Sequence, residues 1–282
     1  MFNGMTKLVQ VSMPKLISMF GSSTANDTCW ALFANCTSLE EIEFPELQNI
    51  GNPLYSGYYH GLGNMFQNCY KLRSARFPSL KYLAIYGNTQ HSHAMFANCY
   101  VLKDLQMPAL EELSQASAYS YCNSLCLNCY ELEEVSLPSL KSIWRTCRWL
   151  FSQCPKLKKV SMPSLTYSNN NSDNKNGTKG LQEMFYMCPA LTDVTFGFKG
   201  SELISYPTFS SCASQNVVFH CPADAPYNVD VMYLNNAWTV VTNGTFKLID
   251  SIKGTGTQYI NTGYTHGTNT LVEIDFALCP ID

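Results

Sequence analysis

The sequence predicts a mainly β repeat protein: a solenoid of about eight coils, followed by a few strands of an incomplete β-sandwich-like segment. Three observations carry that expectation. The pattern M/L-F-x-N-C-x-x-L-x-x-V-x-x-P-x-L-x-x-I recurs from Met1, Leu32, Met65, Met95, Leu125, Leu150, Met184 and Thr208. Start-to-start spacings are 31, 33, 30, 30, 25, 34 and 24 residues, and the variation falls almost wholly between the last Ile/Leu and the next M/L-F. A Pro recurs in mid-unit, which no continuous helix tolerates. Units that keep a fixed interior while one side varies in length stack as coils with insertions on that side.

The third unit shows the pattern plainly in Met65, Phe66, Asn68, Cys69, Leu72, Ala75, Pro78, Leu80 and Leu83, and the fourth repeats it from Met95 to Leu113. L-x-x-V-x-x-P reads as a short strand closed by a Pro that donates no further ladder bond. Phe and Cys fall on the opposite wall, facing inward. One unit cannot bury both walls alone, so neighbours supply the core.

Thirteen Cys would suggest a disulfide framework in a short secreted chain. Seven of them, Cys36, Cys69, Cys99, Cys129, Cys154, Cys188 and Cys212, hold one repeat position and so predict a ladder of reduced core thiols. Cys29, Cys122, Cys126, Cys147, Cys221 and Cys279 lie off that ladder, where scattered pairs stay open. Cys122, Cys126 and Cys129 have a C-x3-C-x2-C spacing that can hold an iron–sulfur cluster. Two of the three occupy inward repeat positions, so no cluster is expected. Asn35, Asn68, Asn98 and Asn128 precede ladder cysteines and are expected to bond turn backbone of their own or the next coil. His91 and His93 have an alternating spacing but no evident third ligand, so no metal and no cofactor is expected. No Ser-His-Asp grouping, phosphate loop or paired carboxylates appear, and the chain is read as a non-enzyme.

The repeat resembles the BspA (TpLRR) type of leucine-rich repeat, with units of the form F-x-x-C-x-x-L-x-x-I-x-x-P, over residues 1–221. Departures are Met5 for Cys, Cys126 for Phe, Gly197 for Pro and Gln215 for Leu. Residues 222–244, with Tyr233 and Trp238, are similar to the closing element of that family. The chain opens on a repeat without a cap, which leaves open that the native protein begins further upstream. Residues 245–282 hold G-T-Q-Y-I-N-T-G-Y and N-T-L-V-E-I-D-F, which resemble the opening strands of a concanavalin A/laminin G-like jelly roll. That resemblance implies a lectin-like partial domain.

Charge narrows the partners. Charged residues are 14% of the chain and the net charge is -3, without a basic run, so a nucleic-acid surface is not expected. No stretch reaches the ~18 apolar residues of a membrane span, and no secretory signal is visible in this chain. Outward strand positions read Glu40, Glu41, Glu43, then Arg73, Arg76, then Lys103, Asp104, then Glu133, Glu134, then Lys158, Lys159, then Asp193. Acidic coils beside basic or mixed ones predict cross-coil pairs that set register.

The variable segments are rich in Tyr, Asn, Ser and Gly, the composition of an adaptable binding surface. The candidate ligand-binding residues are Tyr55, Tyr58, Tyr59, His60, Tyr86, His91, His93, Tyr119, Tyr121, Trp144, Arg145, Arg148 and Trp149. The expected partner is a host-cell protein or glycan receptor, bound by a scaffold of the bacterial surface-adhesin type at the cell surface. The alternative is a receptor-binding protein of a phage virion, with other virion proteins as neighbours; an enzyme using a metal or cluster is the remote third.

Overall fold

The computed structural model describes residues 2–19, 31–51, 63–83, 85–86, 94–113, 120–144, 147, 149–165, 167–169, 183–197, 212, 218–222 and 239–243. The chain divides into two compact units, Met1–Thr245 and Phe246–Asp282. The second unit, where the jelly-roll resemblance falls, lies outside the described residues, as does most of residues 222–244.

Every element among the described residues is a short strand. The first coil supplies β1 (Gln10–Ser12) and β2 (Ser18–Met19), and the next supplies β3 (Glu41–Glu43) and β4 (Asn49–Ile50). The third holds β5 (Ser74–Arg76), β6 (Tyr82–Leu83) and β7 (Ile85–Tyr86), and the fourth β8 (Asp104–Gln106), β9 (Glu112–Leu113) and β10 (Ser120–Tyr121). There follow β11 (Glu134–Ser136), β12 (Ser142–Trp144), β13 (Lys159–Met162), β14 (Tyr167–Asn169), β15 (Asp193–Phe196), β16 (Val218–Pro222) and β17 (Thr239–Asn243).

Two walls of parallel strands run along the stack. The second is a six-stranded sheet in the order β14-β12-β9-β6-β4-β2. The first was expected as one ladder of about eight rungs, and the structure corrects this. It is divided into a four-stranded sheet, β1-β3-β5-β8, and a five-stranded sheet, β11-β13-β15-β16-β17. The uninterrupted run at the N-terminal side is therefore four coils. The break has a visible packing origin. Phe66 and Phe96 stack at 5.5 Å, but the next coil offers Cys126 where a ring would continue the column. Leu105, the inward residue of β8, is only partly buried, whereas Ile42, Ala75, Val135, Val160 and Val194 at the same position are fully enclosed.

Turns explain the rest of each unit. The mid-unit Pro occupies the second position of a β-turn, where its fixed φ is favourable. Leu47 N–H donates to Phe44 O across Pro45, Leu80 to Phe77 across Pro78, and Leu110 to Met107 across Pro108, at 3.1–3.3 Å. These turns swing the chain from the first wall to the second. A second set of turns joins the ladder Cys to the following Leu: Leu72 N–H to Cys69 O at 3.0 Å, Leu102 to Cys99 at 3.0 Å, Leu132 to Cys129 at 3.3 Å. The Phe and Cys positions thus lie on turns that close the coil, and the wall facing the first sheet is made by the two- and three-residue strands of L-x-x-I.

The core is continuous through these coils, with Phe33, Phe44, Phe66, Phe77, Phe96, Phe151 and Phe185 at or near zero exposure. Gly197, which replaces Pro in its unit, is required by close approach: a Cβ there would lie 2.0 Å from Pro163 O.

Candidate binding face

The interior residues define what remains outside. Each ladder thiol donates to a carbonyl of the preceding coil: Cys36 Sγ to Phe2 O at 3.1 Å, Cys69 to Phe33 at 3.2 Å, Cys99 to Phe66 at 3.2 Å, Cys129 to Phe96 at 3.3 Å. The series continues with Cys154 to Cys126 O and Cys188 to Phe151 O, both at 3.1 Å, and Cys212 to Phe185 O at 2.8 Å. Burial pushes the Cys69 and Cys212 thiols up to about 12, with the Cys36 sulfur adding to the effect at Cys69. Burial followed by neighbouring thiols pushes Cys99, Cys154 and Cys188 up as well. These are protonated donors, unsuited to nucleophilic or metal chemistry at neutral pH. Cys122 and Cys126 are also buried and form no disulfide, and Cys147 is buried. Among the described residues no group of at least 3 His, Cys, Asp or Glu is arranged to hold a metal ion.

The asparagines do something other than what their sequence context suggests. Asn35, Asn68, Asn98 and Asn128 have φ of 59°, 62°, 63° and 62°, the left-handed region that Asn enters more readily than most residues. Their amides bond one another along the stack instead of turn backbone: Asn68 Nδ2 donates to Asn35 Oδ1 at 2.9 Å, Asn98 to Asn68 at 2.8 Å and Asn128 to Asn98 at 2.8 Å. Asn35 in turn donates to Asn3 Oδ1 at 3.0 Å. The left-handed backbone aims each amide at the coil before, which is the physical reason for the correction.

The outer face of the first wall carries paired charge. Arg76 grips Asp104 through Nε at 3.0 Å and Nη2 at 2.6 Å, and Ser74 Oγ reaches the same carboxylate oxygen at 2.9 Å. Partial burial would raise the Asp104 carboxyl, but the bonds from Ser74, Gln106 and Arg76 hold it below the usual carboxylate range. Lys158 meets Glu133 at 2.8 Å and Lys159 meets Glu134 at 3.8 Å, while Glu131 takes both Lys156 at 2.5 Å and Lys103 at 3.6 Å. Solvent screens such exposed pairs, so the group sets register more than it adds stability.

The sequence-predicted binding residues fall unevenly on this frame. Tyr55, Tyr58, Tyr59, His60, His91, His93, Tyr119, Arg145 and Arg148 lie outside the described residues. The strands from which their segments depart are described. The ends of β4, β6, β9 and β12 sit side by side, with Ile50 opposite Leu83, Leu83 opposite Leu113 and Leu113 opposite Ile143. Four variable segments are therefore rooted along one edge of the second wall. Two candidates are brought together: β7 pairs antiparallel with β10, placing Tyr86 opposite Ser120 and Tyr121 opposite Ile85. Trp144 ends β12 opposite Asn169. Trp149 is partly buried in a closing turn, where its indole N–H donates to Glu183 Oε2 at 2.7 Å. Tyr82 is buried within β6.

One aromatic row was missed from the sequence. Tyr70, Tyr100 and Tyr130 follow the ladder Cys in three successive coils and occupy the second position of the Cys–Leu turns. Tyr70 and Tyr100 stack at 5.2 Å and 8°, Tyr100 and Tyr130 at 5.1 Å and 7°. Tyr70 is 40% exposed and Tyr130 42%. The signal in the sequence is three Cys-Tyr pairs at equal spacing, placed inside the fixed core of the repeat and not in its variable segments.

A family match agrees with the repeat architecture. The family described as BspA type leucine rich repeat region matches residues 1–172 and 123–224, in 6 copies. No curated protein sequence matches the chain. Among solved structures, the crystal structure of the pneumococcal vaccine antigen PcpA is similar at 16% identity and a TM-score of 0.30, over 84% of this chain and 68% of that one. The matched pattern spans the stretch in which thiol, amide and ring ladders were found, and the chain belongs to the BspA-type leucine-rich repeat family.

Proposed function

We propose that this chain is a non-enzymatic recognition scaffold of the surface-adhesin type, which binds a protein or glycan on another cell. The observation that carries the reading is the division of labour within the repeat. Cys, Asn and Phe are spent on joining coils, while the Tyr-, Asn- and Ser-rich insertions are rooted on adjacent strand ends of one edge. A rigid stack with variable segments along one edge supplies a broad contact surface without a fixed catalytic constellation.

A binding screen against host cells and a glycan array tests the reading, using the intact chain and a Tyr55→Ala/Tyr58→Ala/Tyr59→Ala variant. The wild type is expected to bind at least one target, and the triple variant at least tenfold more weakly. A wild type that binds nothing, or a variant that binds equally well, removes the insertions from the proposal.

A further inference from the structure

The division of the first wall falls on one side of one junction, and the other sides of that junction stay closed. We infer that the junction between the fourth and fifth coils is a hinge, which opens the first wall between β8 and β11 while the closing turns and the second wall remain joined. The inference does not depend on what the insertions bind.

Backbone hydrogen bonds locate the opening. At a closed junction the residue before the strand and the first strand residue both donate to the preceding coil. Arg73 and Ser74 N–H reach Glu40 O at 2.8 and 3.3 Å, Lys103 and Asp104 reach Arg73 O at 3.0 and 3.1 Å, and Lys158 and Lys159 reach Glu133 O at 2.8 and 3.3 Å. The residue after the strand donates to the following coil, as Phe44 does to Arg76 O at 3.0 Å, Phe77 to Gln106 O at 2.8 Å and Leu137 to Ser161 O at 2.9 Å. Between the fourth and fifth coils the corresponding bonds, from Glu133 and Glu134 to Lys103 O and from Met107 to Ser136 O, are not formed among the described residues. β8 is accordingly the last strand of one sheet and β11 the first of the next. The two coils meet instead nearer the closing turn, where Glu131 N–H donates to Tyr100 O at 3.2 Å.

The remaining sides of the junction are held. At the closing turns Phe96 N–H donates to Leu125 O at 2.8 Å, Asn98 N–H donates to Leu127 O at 2.9 Å, and Tyr100 stacks on Tyr130 at 5.1 Å. On the second wall Lys141 and Ser142 N–H reach Glu111 O at 2.8 and 3.3 Å, and β12 pairs with β9 in register. Two held sides and one open side define a rotation about the held ones, the arrangement of a hinge. Because the second wall belongs to the held part, the ends of β9 and β12 keep their spacing as the first wall opens, and the stack bends without spreading the insertions rooted there.

The lips of the opening are Leu105 and Val135, which hold the same inward position on the two coils. Val11, Ile42, Val135, Val160 and Val194 are β-branched there and Ala75 is small, whereas Leu105 is branched one carbon further out. β-Branched side chains pack better on a pleated wall. Leu105 is already partly exposed, while Val135 is 1% exposed. Opening of the hinge uncovers Val135, and that is what an experiment can read.

The test is native-state thiol labelling, located by peptide mapping, in three single variants of the intact chain: Val135→Cys, Val160→Cys and Val194→Cys. They make the same change at the same repeat position, and all three valines are at most 1% exposed. Val135→Cys is expected to label at least tenfold faster than either of the others, while Cys99 and Cys129, on the held turns of the same junction, stay unlabelled over that time. Equal rates at the three positions overturn the inference. Labelling of Cys99 and Cys129 in step with Val135→Cys also overturns it, because the coils would then be parting on every side. Amide exchange of the wild-type chain gives a second reading that needs no substitution. Met107 and Glu133 should exchange at least tenfold faster than Phe77 and Lys158, their counterparts at closed junctions, with Phe96 and Lys141 protected; equal protection of the two sets overturns the hinge.

Discussion

The coils between residues 31 and 113 are joined by more ladders than those between residues 149 and 197. In the first stretch Cys69 and Cys99 bond the coil before, Asn68 and Asn98 link amide to amide, and Phe33, Phe66 and Phe96 form one column. In the second the thiol bonds persist, through Cys154 and Cys188, and Phe151 stacks on Phe185 at 5.9 Å. The amide ladder is gone, because Gln153 and Met187 stand where Asn stood, although both keep the left-handed backbone at a φ of 57°. The comparison teaches that the left-handed turn and the thiol are what the coils between residues 31 and 197 all retain, while the amide is an addition laid on a turn that forms without it. Where the ring column is interrupted, at Cys126, the first sheet also divides, so aromatic stacking and strand pairing fail together.

The largest effect expected from breaking this arrangement is in the ring column. Phe66 lies between Phe33 and Phe96 at 5.5 Å on each side, whereas Phe151 has Cys126 on the side of the preceding coil. Phe66→Ala is expected to cost about 3–5 kcal/mol and Phe151→Ala the lower part of that range. Urea unfolding in the presence of reductant measures both, and equal costs would show that the column adds nothing beyond burial of each ring.

Alkaline pH comes next. A buried thiol raised to about 12 binds its proton more tightly folded than unfolded, where the ordinary value is 9.0. The resulting stability is complete below pH 9, and above it falls by up to about 1.4 kcal/mol per pH unit for each such thiol. The urea midpoint should hold steady from neutral pH to about pH 9 and then drop steeply, in step with release of thiols to a colorimetric reagent. Rapid labelling of Cys69 or Cys99 in the native protein at neutral pH, located by peptide mapping, would contradict the buried donors.

How much of this was legible beforehand follows from what the repeat constrains. The inward Val, Leu, Phe and Cys positions recur at fixed spacing because a stacked coil cannot tolerate a shift, so the first wall and the thiol ladder could be read directly. The thiols' role as donors could not, since it depends on where the carbonyl of Phe33 or Phe66 points. The second wall uses strands of two or three residues, such as Asn49–Ile50 and Glu112–Leu113, too short for alternation to register. The asparagine spacing points to bonds with turn backbone of the same or the next coil, and the partner on the neighbouring coil is instead another Asn side chain about 30 residues away. Tyr70, Tyr100 and Tyr130 are not legible for the related reason that an exposed residue within the fixed core of a repeat looks the same, in one sequence, as a buried one.

A smaller loss is expected in the middle of the amide ladder. Asn98 donates to Asn68 and accepts from Asn128, both at 2.8 Å. Asn98→Asp keeps the size and the turn preference but cannot donate, and it sets a carboxylate against an amide oxygen. The cost should be about 1–3 kcal/mol at neutral pH and should shrink once the introduced carboxyl protonates in acid. A cost that does not change with pH would point to the turn and not the ladder.

The smallest change is the one that adds to the poorer half. Met187 holds a left-handed conformation that costs an ordinary side chain roughly 1–2 kcal/mol, and at 47% exposure it returns little burial for it. Asn tolerates that backbone better, so Met187→Asn should stabilise the protein by about 1 kcal/mol or less. Its amide would then face Gln153 on the coil before, whose longer side chain sits at the same left-handed position. Adding Gln153→Asn makes the two amides equal in length and should yield more than the sum of the single changes, as a double-mutant cycle in urea would register. Strict additivity would mean that the gain comes from the turns alone, and that the amide ladder between residues 31 and 128 is a consequence of the left-handed turn and not a separate source of stability.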